Sequence, residues 1–142
     1  MCRGYKAVTD NSDNVNKLKE LSRNEPIAAF LDMKLTDLAE GYSRVEMKMK
    51  PEYINFNGSV FGGIITALAD QAFAYATNSV VTPNVASQLN IHFIAAAGEK
   101  DELMAECIVV KRGKRVCISE IKVTDRGGKL IALASGTTIP LA

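Results

Sequence analysis

A single carboxylate stands within an otherwise apolar stretch, and it is the strongest candidate for chemistry in this chain. The stretch covers residues 55–79, reads NFNGSVFGGIITALADQAFAYATNS, and contains Asp70. Its Ala and Leu content predicts a helix, and a carboxylate with apolar flanks must find partners, shift its pKa or serve a reaction. We therefore interpret Asp70 as a candidate general base or nucleophile, although many helical aspartates are only solvated or cap a helix.

Two glycines and an asparagine precede this helix and supply hydrogen-bond donors. Gly62 and Gly63 stand where the helix is predicted to begin, so their N–H groups lack helical acceptors and lie at the positive end of the helix dipole. Such donors can stabilise the negative charge that develops on an attacked carbonyl oxygen. A glycine pair also occurs in tight turns without a catalytic role. The side-chain amide of Asn55 can orient a water or a substrate, or it can close its own turn.

Composition is that of one ordinary globular domain. The chain has 142 residues, 47% of them hydrophobic, and 17 basic against 16 acidic residues give a formal charge of +1. This balance argues against a nucleic-acid or membrane-surface partner. We see no apolar leader and no run near the roughly 20 apolar residues of a membrane span. We therefore expect a cytoplasmic protein whose three cysteines, Cys2, Cys107 and Cys117, are buried thiols.

The sequence supports neither a metal site nor a catalytic triad. His92 is the only histidine, and the cysteines do not cluster, so no zinc site is recognisable and no cofactor is expected. A G-x-S-x-G nucleophile motif is also absent from the sequence. Alternation along its predicted strand places His92 on the same face as Gln88 and Asn90, and we interpret it as a structural or interface residue.

A polar segment over residues 1–25 precedes the predicted domain, which covers residues 26–142. Within the segment, Val15, Leu18 and Leu21 are spaced as on one face of a short helix. The domain is expected to contain its longest helix over residues 64–78, where Ala and Leu dominate.

Most of the remaining sequence predicts β-strands. Strict alternation in RVEMKMK, residues 44–50, indicates a half-buried strand, and four Val- and Ile-rich segments follow Pro83. Glycines between these segments favour antiparallel hairpins. About five or six strands wrapped around one central helix make an α+β architecture. Because such a sheet keeps an open edge, we expect a second copy of the chain to cover it.

The arrangement of these residues resembles the hotdog-fold acyl-CoA thioesterases, and in particular the phenylacetate-pathway (PaaI-like) type. That type has an Asn, a His-Gly-Gly, and a helix with Leu-Ala-Asp followed by Ala-Phe-Ala-Tyr-Ala. The chain matches at Asn55, Gly62-Gly63, residues 68–70 and residues 72–76. It departs at Phe61, where the family usually has His, and at Ala86, where many relatives have Ser or Thr. The likeness extends from about residue 35 to residue 139.

The resemblance implies a hydrolase that cleaves an acyl or aryl-acyl thioester to the free acid and coenzyme A. Asp70 would be general base or nucleophile, Gly62 would polarise the carbonyl, and Asn55 would orient the water or the thioester. Sites would lie between subunits of a dimer or of a tetramer of paired dimers. Two alternatives stay open: a non-catalytic acyl-CoA binding protein, suggested by Phe61 and Ala86, and a hotdog dehydratase, for which His92 is poorly placed.

Substrate-binding residues are expected beside these groups. Gly63 adds a second amide, while Phe61, Phe73 and Tyr75 are candidates for an acyl pocket, although apolar residues at helical spacing are more often core. A cluster of basic side chains about one hairpin turn is a candidate for the phosphates of coenzyme A, although such runs are usually solvated. This cluster consists of Lys111, Arg112, Lys114 and Arg115.

Overall fold

The computed structural model describes residues 12–141. Within this range, three α-helices and six strands follow one another, with a 3-10 turn over Pro51–Tyr53. The helices are α1 (Ser12–Ser22), α2 (Pro26–Leu31) and α3 (Gly62–Val80). The strands are β1 (Met33–Ala39), β2 (Tyr42–Lys48), β3 (Asn84–Phe93), β4 (Glu102–Arg112), β5 (Cys117–Asp125) and β6 (Leu130–Pro140). The predicted long helix and the strands after Pro83 are therefore confirmed, and β1 is an additional strand.

One antiparallel sheet in the order β1-β2-β4-β5-β6-β3 wraps around α3. The inward faces of the strands and the buried side of α3 form one core, because alternating apolar residues on each strand point to the same side. Phe73, Met47, Leu68 and Leu103 are its largest fully buried side chains. The predicted α+β architecture, an antiparallel sheet around one central helix, is confirmed.

The N-terminal helices belong to the same core. α1 packs against α3 and β1, and Leu18 is buried together with Leu31 of α2. α2 ends at Asp32, which has a left-handed backbone conformation (φ 54°) and donates its N–H to the helix carbonyls. No helix between residues 12 and 141 is long and apolar enough to span a membrane.

One stripe of α3 stays outside the core. Gly63, Asp70 and Ala74 are exposed, and Thr66, Ala67 and Asn78 are only partly covered, whereas the opposite side of the helix is buried. These positions recur at three- and four-residue steps and therefore share one face. The helix is apolar on nearly all sides, yet the described residues of its own chain cover this face only in part.

The cysteines differ in state. Cys107 is a free, buried thiol, and burial raises its pKa to about 12, so it stays protonated and is not a nucleophile at neutral pH. Cys117 is disulfide-bonded, so the prediction of a thiol is wrong at this position. Cys2 lies outside the described residues.

Candidate active site

Two backbone amides at the start of α3 have no acceptor among the described residues. Phe61 precedes the helix, and its carbonyl accepts the N–H of Ile64 at 2.9 Å and that of Ile65 at 3.4 Å. The N–H groups of Gly62 and Gly63 make no hydrogen bond to any residue of the range 12–141. They point out of the N-terminal end of a 19-residue helix, where the dipole favours an electron-rich oxygen.

Two phenylalanine rings lie close to these glycines. A β-carbon on Gly62 would lie 3.2 Å from the ring of Phe93, and one on Gly63 would overlap the ring of Phe61. Both rings keep more than half of their surface exposed, 57% for Phe61 and 52% for Phe93. The two amides are thus flanked by apolar surface. The contact of Phe93 with Gly62 could not be predicted from the sequence, because it forms only when β3 folds back along the helix.

A shallow pocket of about 270 Å³ opens beside these amides. Its wall combines the turn before α3, the start of the helix and the end of β3 with the segment that follows it. The lining residues are Ser59, Val60, Gly62, Ile65, Phe93, Ile94, Ala95 and Ala96. A carbonyl oxygen bound at Gly62 would lie at the edge of this pocket.

Asn55 closes its own loop and still keeps a free donor. Its Oδ1 accepts the N–H of Asn57 at 2.9 Å and of Ser59 at 3.3 Å, and its backbone N–H donates to the carbonyl of Ser59 at 2.8 Å. The side-chain Nδ2 makes no hydrogen bond in the range 12–141 and remains able to donate. The turn therefore fixes the orientation of the amide, so the two interpretations of Asn55 are compatible.

Asp70 lies on the exposed stripe of α3, and its carboxylate makes no hydrogen bond or ion pair with residues 12–141. The carboxylate is therefore exposed in the single chain, because the described residues cover this face of α3 only in part. The surrounding protein nevertheless takes away part of its hydration, and this desolvation raises the pKa of Asp70 above its ordinary 3.8. A raised pKa makes the carboxylate a stronger base near neutral pH.

Gly62 and Asp70 of one chain cannot act on the same carbonyl group. They are eight residues apart on α3, which places them about 12 Å apart along the helix axis. Both an oxyanion donor and a base must lie within about 3 Å of the reacting atoms. On one chain, the candidate oxyanion donor and the candidate base therefore lie at separate places on the same helix.

The basic cluster lies at the other end of α3. The Arg112 side chain reaches Glu40 at 2.8 Å and lies over Gly41, whose N–H donates to Ser79 Oγ near the end of the helix. This end is about 27 Å from Gly62 along the axis. Lys111, Lys114 and Arg115 are exposed and make no ion pair with residues 12–141. Three of the four basic residues are thus available to an anion.

Phe73 and Tyr75, which are predicted to line an acyl pocket, are buried and make contacts within the fold. Phe73 is fully buried and packs against Gly136, so its ring offers no surface to a substrate. Tyr75 is also buried and donates its hydroxyl to the Glu25 carboxylate at 2.7 Å. His92 lies on the outer face of the sheet, in register with Leu133 of β6, away from α3.

Comparisons with known proteins identify the family of this chain. The family described as Thioesterase superfamily matches residues 57–132, the range that contains Gly62, Gly63 and Asp70. A putative esterase of Archaeoglobus fulgidus is 37% identical over 132 residues, which cover 92% of this chain and 86% of the relative. The acyl-coenzyme A thioesterase PaaI of Escherichia coli is 33% identical over 113 residues, 80% of this chain and 81% of that protein.

The solved structure of the E. coli PaaI protein from the phenylacetic acid degradation operon has the same fold. It superposes with a TM-score of 0.88 at 28% identity and covers 94% of this chain and 97% of that chain. The chain therefore belongs to the thioesterase superfamily. Its fold is the hotdog fold, and the predicted likeness to PaaI-like thioesterases and the predicted enzyme class, thioester hydrolase, are confirmed.

Proposed function

We propose that the protein hydrolyses an acyl or aryl-acyl thioester of coenzyme A to the free acid and coenzyme A. The observation that carries this proposal is the pair of unpartnered amides at the start of α3 together with an unpartnered, partly desolvated carboxylate on the same helix. Attack on a thioester carbonyl requires these two functions, an oxyanion donor and a base or nucleophile. The name of the E. coli relative, acyl-coenzyme A thioesterase, supports coenzyme A as the leaving group.

Two copies of the chain would complete each site. The exposed stripe of α3 has Gly63 near one end and Asp70 a little further along, with Thr66 and Ala67 between them. Antiparallel packing of two such stripes about a twofold axis near Thr66 brings Asp70 of one protomer toward Gly62 and Gly63 of its partner. The interface is self-complementary, and its small side chains allow close approach of the helices.

The edge strand β3 supports the same pairing. It has ten residues and pairs only with β6 within residues 12–141. Its sequence, NVASQLNIHF, contains no Asp, Glu, Lys or Arg. Long edge strands of monomers normally carry charges or prolines that prevent pairing, so this edge is suited to a second copy. A further pairing into a tetramer, and a cytoplasmic location, stay predictions.

Hydrolysis then follows from the positions of the groups. The thioester carbonyl oxygen accepts the N–H of Gly62, which stabilises the charge that forms there. Asp70 either removes a proton from a water that attacks the carbonyl carbon, or attacks directly to form a mixed anhydride that water later cleaves. In both routes the C–S bond breaks, the electron pair leaves with sulfur, and the thiolate takes up a proton. The Nδ2 of Asn55 orients the water or the thioester.

The phosphates of coenzyme A are assigned to the basic cluster. Lys111, Lys114 and Arg115 have no ion-pair partner among residues 12–141, and all lie at one hairpin between β4 and β5. Arg112 is held by Glu40, so it contributes mainly by shaping the hairpin. Phosphates interact favourably with such a group of side chains, although each exposed charge adds little.

Turnover by wild-type protein and by Asp70→Asn tests this function. The purified protein is incubated with a panel of fatty and aryl acyl-CoAs, and released thiol is measured with a chromogenic thiol reagent. We expect hydrolysis by wild type and a loss of roughly 100-fold or more in kcat for Asp70→Asn. Asp37→Asn, an exposed aspartate on β1, is the matched control and keeps full activity. Binding of acyl-CoA without any thiol release favours the non-catalytic alternative.

A further inference from the structure

The two amides that lack an acceptor among residues 12–141 belong to peptide units whose carbonyl oxygens each accept two hydrogen bonds. The N–H of Gly62 shares its peptide unit with the carbonyl of Phe61, which accepts the N–H of Ile64 at 2.9 Å and that of Ile65 at 3.4 Å. The N–H of Gly63 shares its peptide unit with the carbonyl of Gly62. The two units differ in the group that supplies the second hydrogen bond.

Thr66 supplies both hydrogen bonds to the Gly62 carbonyl. Its backbone N–H donates to this oxygen in the regular α-helical pattern. Its hydroxyl donates to the same oxygen at 2.8 Å, which is an ordinary length for a hydrogen bond between two oxygens. A side chain therefore acts on the peptide unit to which the Gly63 N–H belongs.

A hydrogen bond to a carbonyl oxygen strengthens the donor on the other side of the same peptide unit. Electron density moves from nitrogen toward oxygen, because both atoms take part in the resonance of the planar peptide group. The N–H then carries more positive charge, and hydrogen bonds in such a chain strengthen one another by about 10–30%. The Thr66 hydroxyl therefore makes the Gly63 N–H a better donor to an oxygen that gains negative charge.

The same helix contains a second threonine that makes the same bond without this consequence. The hydroxyl of Thr77 donates to the carbonyl of Phe73 at 2.8 Å. The N–H of that peptide unit belongs to Ala74 and lies inside the helix, where it donates to the carbonyl of Asp70. A threonine that bonds the carbonyl four residues earlier is an ordinary feature of helices. Thr66 differs because the N–H that it affects has no acceptor in the range 12–141.

Thr66 lies on the exposed stripe of α3, close to the two amides. It is only partly covered and follows Gly62 by about one helical turn. Alanine is a better helix former than threonine, and alanines occupy positions 67 and 74 on the same stripe. The chain thus has a hydroxyl at a position where helix propensity alone would favour alanine.

We propose that Thr66 is a positioning residue for the reaction. Its hydroxyl polarises and orients the peptide unit between Gly62 and Gly63, so that the Gly63 N–H serves as a second oxyanion donor beside the Gly62 N–H. The inference rests on the proposed thioesterase function and deepens it. Thr66 does not contact the substrate in this role, so loss of its hydroxyl weakens one donor and removes none.

Kinetics of matched threonine variants test the proposal. Thr66→Val keeps the shape of the side chain and removes the hydroxyl, whereas Thr66→Ser keeps the hydroxyl. Loss of a whole oxyanion donor lowers kcat about 100- to 1,000-fold, so a donor weakened by about 10–30% is expected to lower kcat about 2- to 8-fold. KM stays unchanged, because the charge on the oxygen develops only in the transition state.

Two further variants distinguish this role from a general effect on the helix. Thr66→Ser is expected to keep the wild-type kcat. Thr77→Val breaks the equivalent bond at a fully buried position near the other end of α3, and it is expected to leave kcat unchanged as well. Gel filtration of each variant verifies that assembly is unchanged.

A second measurement does not depend on turnover. The chemical shift of the Gly63 amide proton, read from proton–nitrogen correlation spectra, reports the polarisation of this N–H. We expect the resonance to move upfield in Thr66→Val, and to stay near the wild-type position in Thr66→Ser and in Thr77→Val.

The outcomes separate this inference from the proposed function. If wild type hydrolyses acyl-CoA and Thr66→Val keeps the wild-type kcat, the positioning role is overturned and the thioesterase stays intact. Equal losses in Thr66→Val and Thr77→Val, or an equal loss in Thr66→Ser, also overturn it, because a general effect on the helix then explains the result. If no acyl-CoA is hydrolysed, the proposed function fails, and the NMR shift decides: an upfield move confined to Thr66→Val supports the polarised donor, and an unchanged shift rejects it.

Discussion

The ring of Phe93, at the end of β3, lies against Gly62 at the point where α3 begins. The fit is close, since a β-carbon on Gly62 would be 3.2 Å from the ring. A β-carbon at this distance would be tighter than an ordinary van der Waals contact, so the ring of Phe93 would have to shift. An aromatic side chain from a different element therefore lies directly beside the proposed oxyanion donor.

This relationship predicts the behaviour of Gly62→Ala. The added methyl group pushes against Phe93 and displaces the amide, which we expect to lower kcat/KM about 10- to 100-fold, because misplacement by about 1 Å can cost that much. The double variant Gly62→Ala/Phe93→Leu relieves the overlap and recovers part of the activity. Steady-state kinetics with one acyl-CoA measures both. Full activity of the single variant would show that this amide does not contact the substrate.

Subunit complementation tests whether the site is shared. Asp70→Asn and Gly62→Ala are each inactive or weak alone, but a mixed dimer contains one site with Asp70 from one chain and Gly62 from the other. Co-expression with different affinity tags and random pairing is expected to restore about a quarter of wild-type activity. The mixed dimer can then be purified by its two tags and assayed directly. Absence of recovery in the purified mixed dimer contradicts a shared site.

The raised pKa of Asp70 predicts a pH effect on stability with a definite sign. A carboxyl group whose pKa is higher in the folded state than the unfolded value resists ionisation in the fold, so it lowers stability at pH values above both pKa values. Asp70→Asn is therefore expected to have a higher Tm than wild type at pH 7. This difference shrinks as the pH falls toward 3.8, the ordinary pKa, because both states of wild type then become protonated.

Thermal unfolding followed by circular dichroism between pH 7 and pH 4 measures this difference. Asp37→Asn serves as control, since it removes the same charge at an exposed position on β1. A lower Tm for Asp70→Asn at pH 7, combined with normal turnover, would mean that the carboxylate serves folding. The same ionisation should appear in the kinetics, with kcat/KM rising with pH through a pKa above 3.8.

The basic cluster makes a prediction about the nucleotide part of the substrate. Replacing Lys114 and Arg115 together by Ala is expected to raise KM for acyl-CoA roughly 2- to 10-fold, with kcat unchanged and a smaller effect at high salt. For the same acyl group on N-acetylcysteamine, which lacks phosphates, the variant and wild type should agree. Replacement of Lys34 and Lys48, two exposed lysines on β1 and β2, is the control. Equal changes in KM for both thioesters would contradict the assignment of the coenzyme A phosphates to the basic cluster.

Much of the fold can be predicted from local sequence, through helix-forming composition and the alternation of apolar residues in strands. The helix predicted over residues 64–78 is observed as Gly62–Val80, and the strands after Pro83 have the expected alternation. β1 is not predicted, because its register shifts between Leu35 and Asp37 and this irregularity breaks the alternation. The two extra residues at the start of α3 are glycines, which are poor helix formers.

The site was harder to predict from sequence than the fold. Asp70, Gly62 and Asn55 lie in the expected elements, but the exposure of Asp70 depends on which face of α3 the sheet covers. That choice is made by the whole sheet, whose strands are distant from residue 70 in sequence. The contact of Phe93 with Gly62 and the hydrogen bond of Glu25 with Tyr75 join residues 31 and 50 positions apart, beyond the range of any local pattern.

In the proposed assembly, the spacing of eight residues between Gly62 and Asp70 makes activity depend on the concentration of the protein. A single newly synthesised chain then carries both the proposed oxyanion donor and the proposed base, but the two cannot act on the same thioester. Turnover begins only when synthesis has raised the concentration past the dissociation constant of the pair. In this assembly, the protein concentration therefore sets the fraction of chains that can turn over substrate.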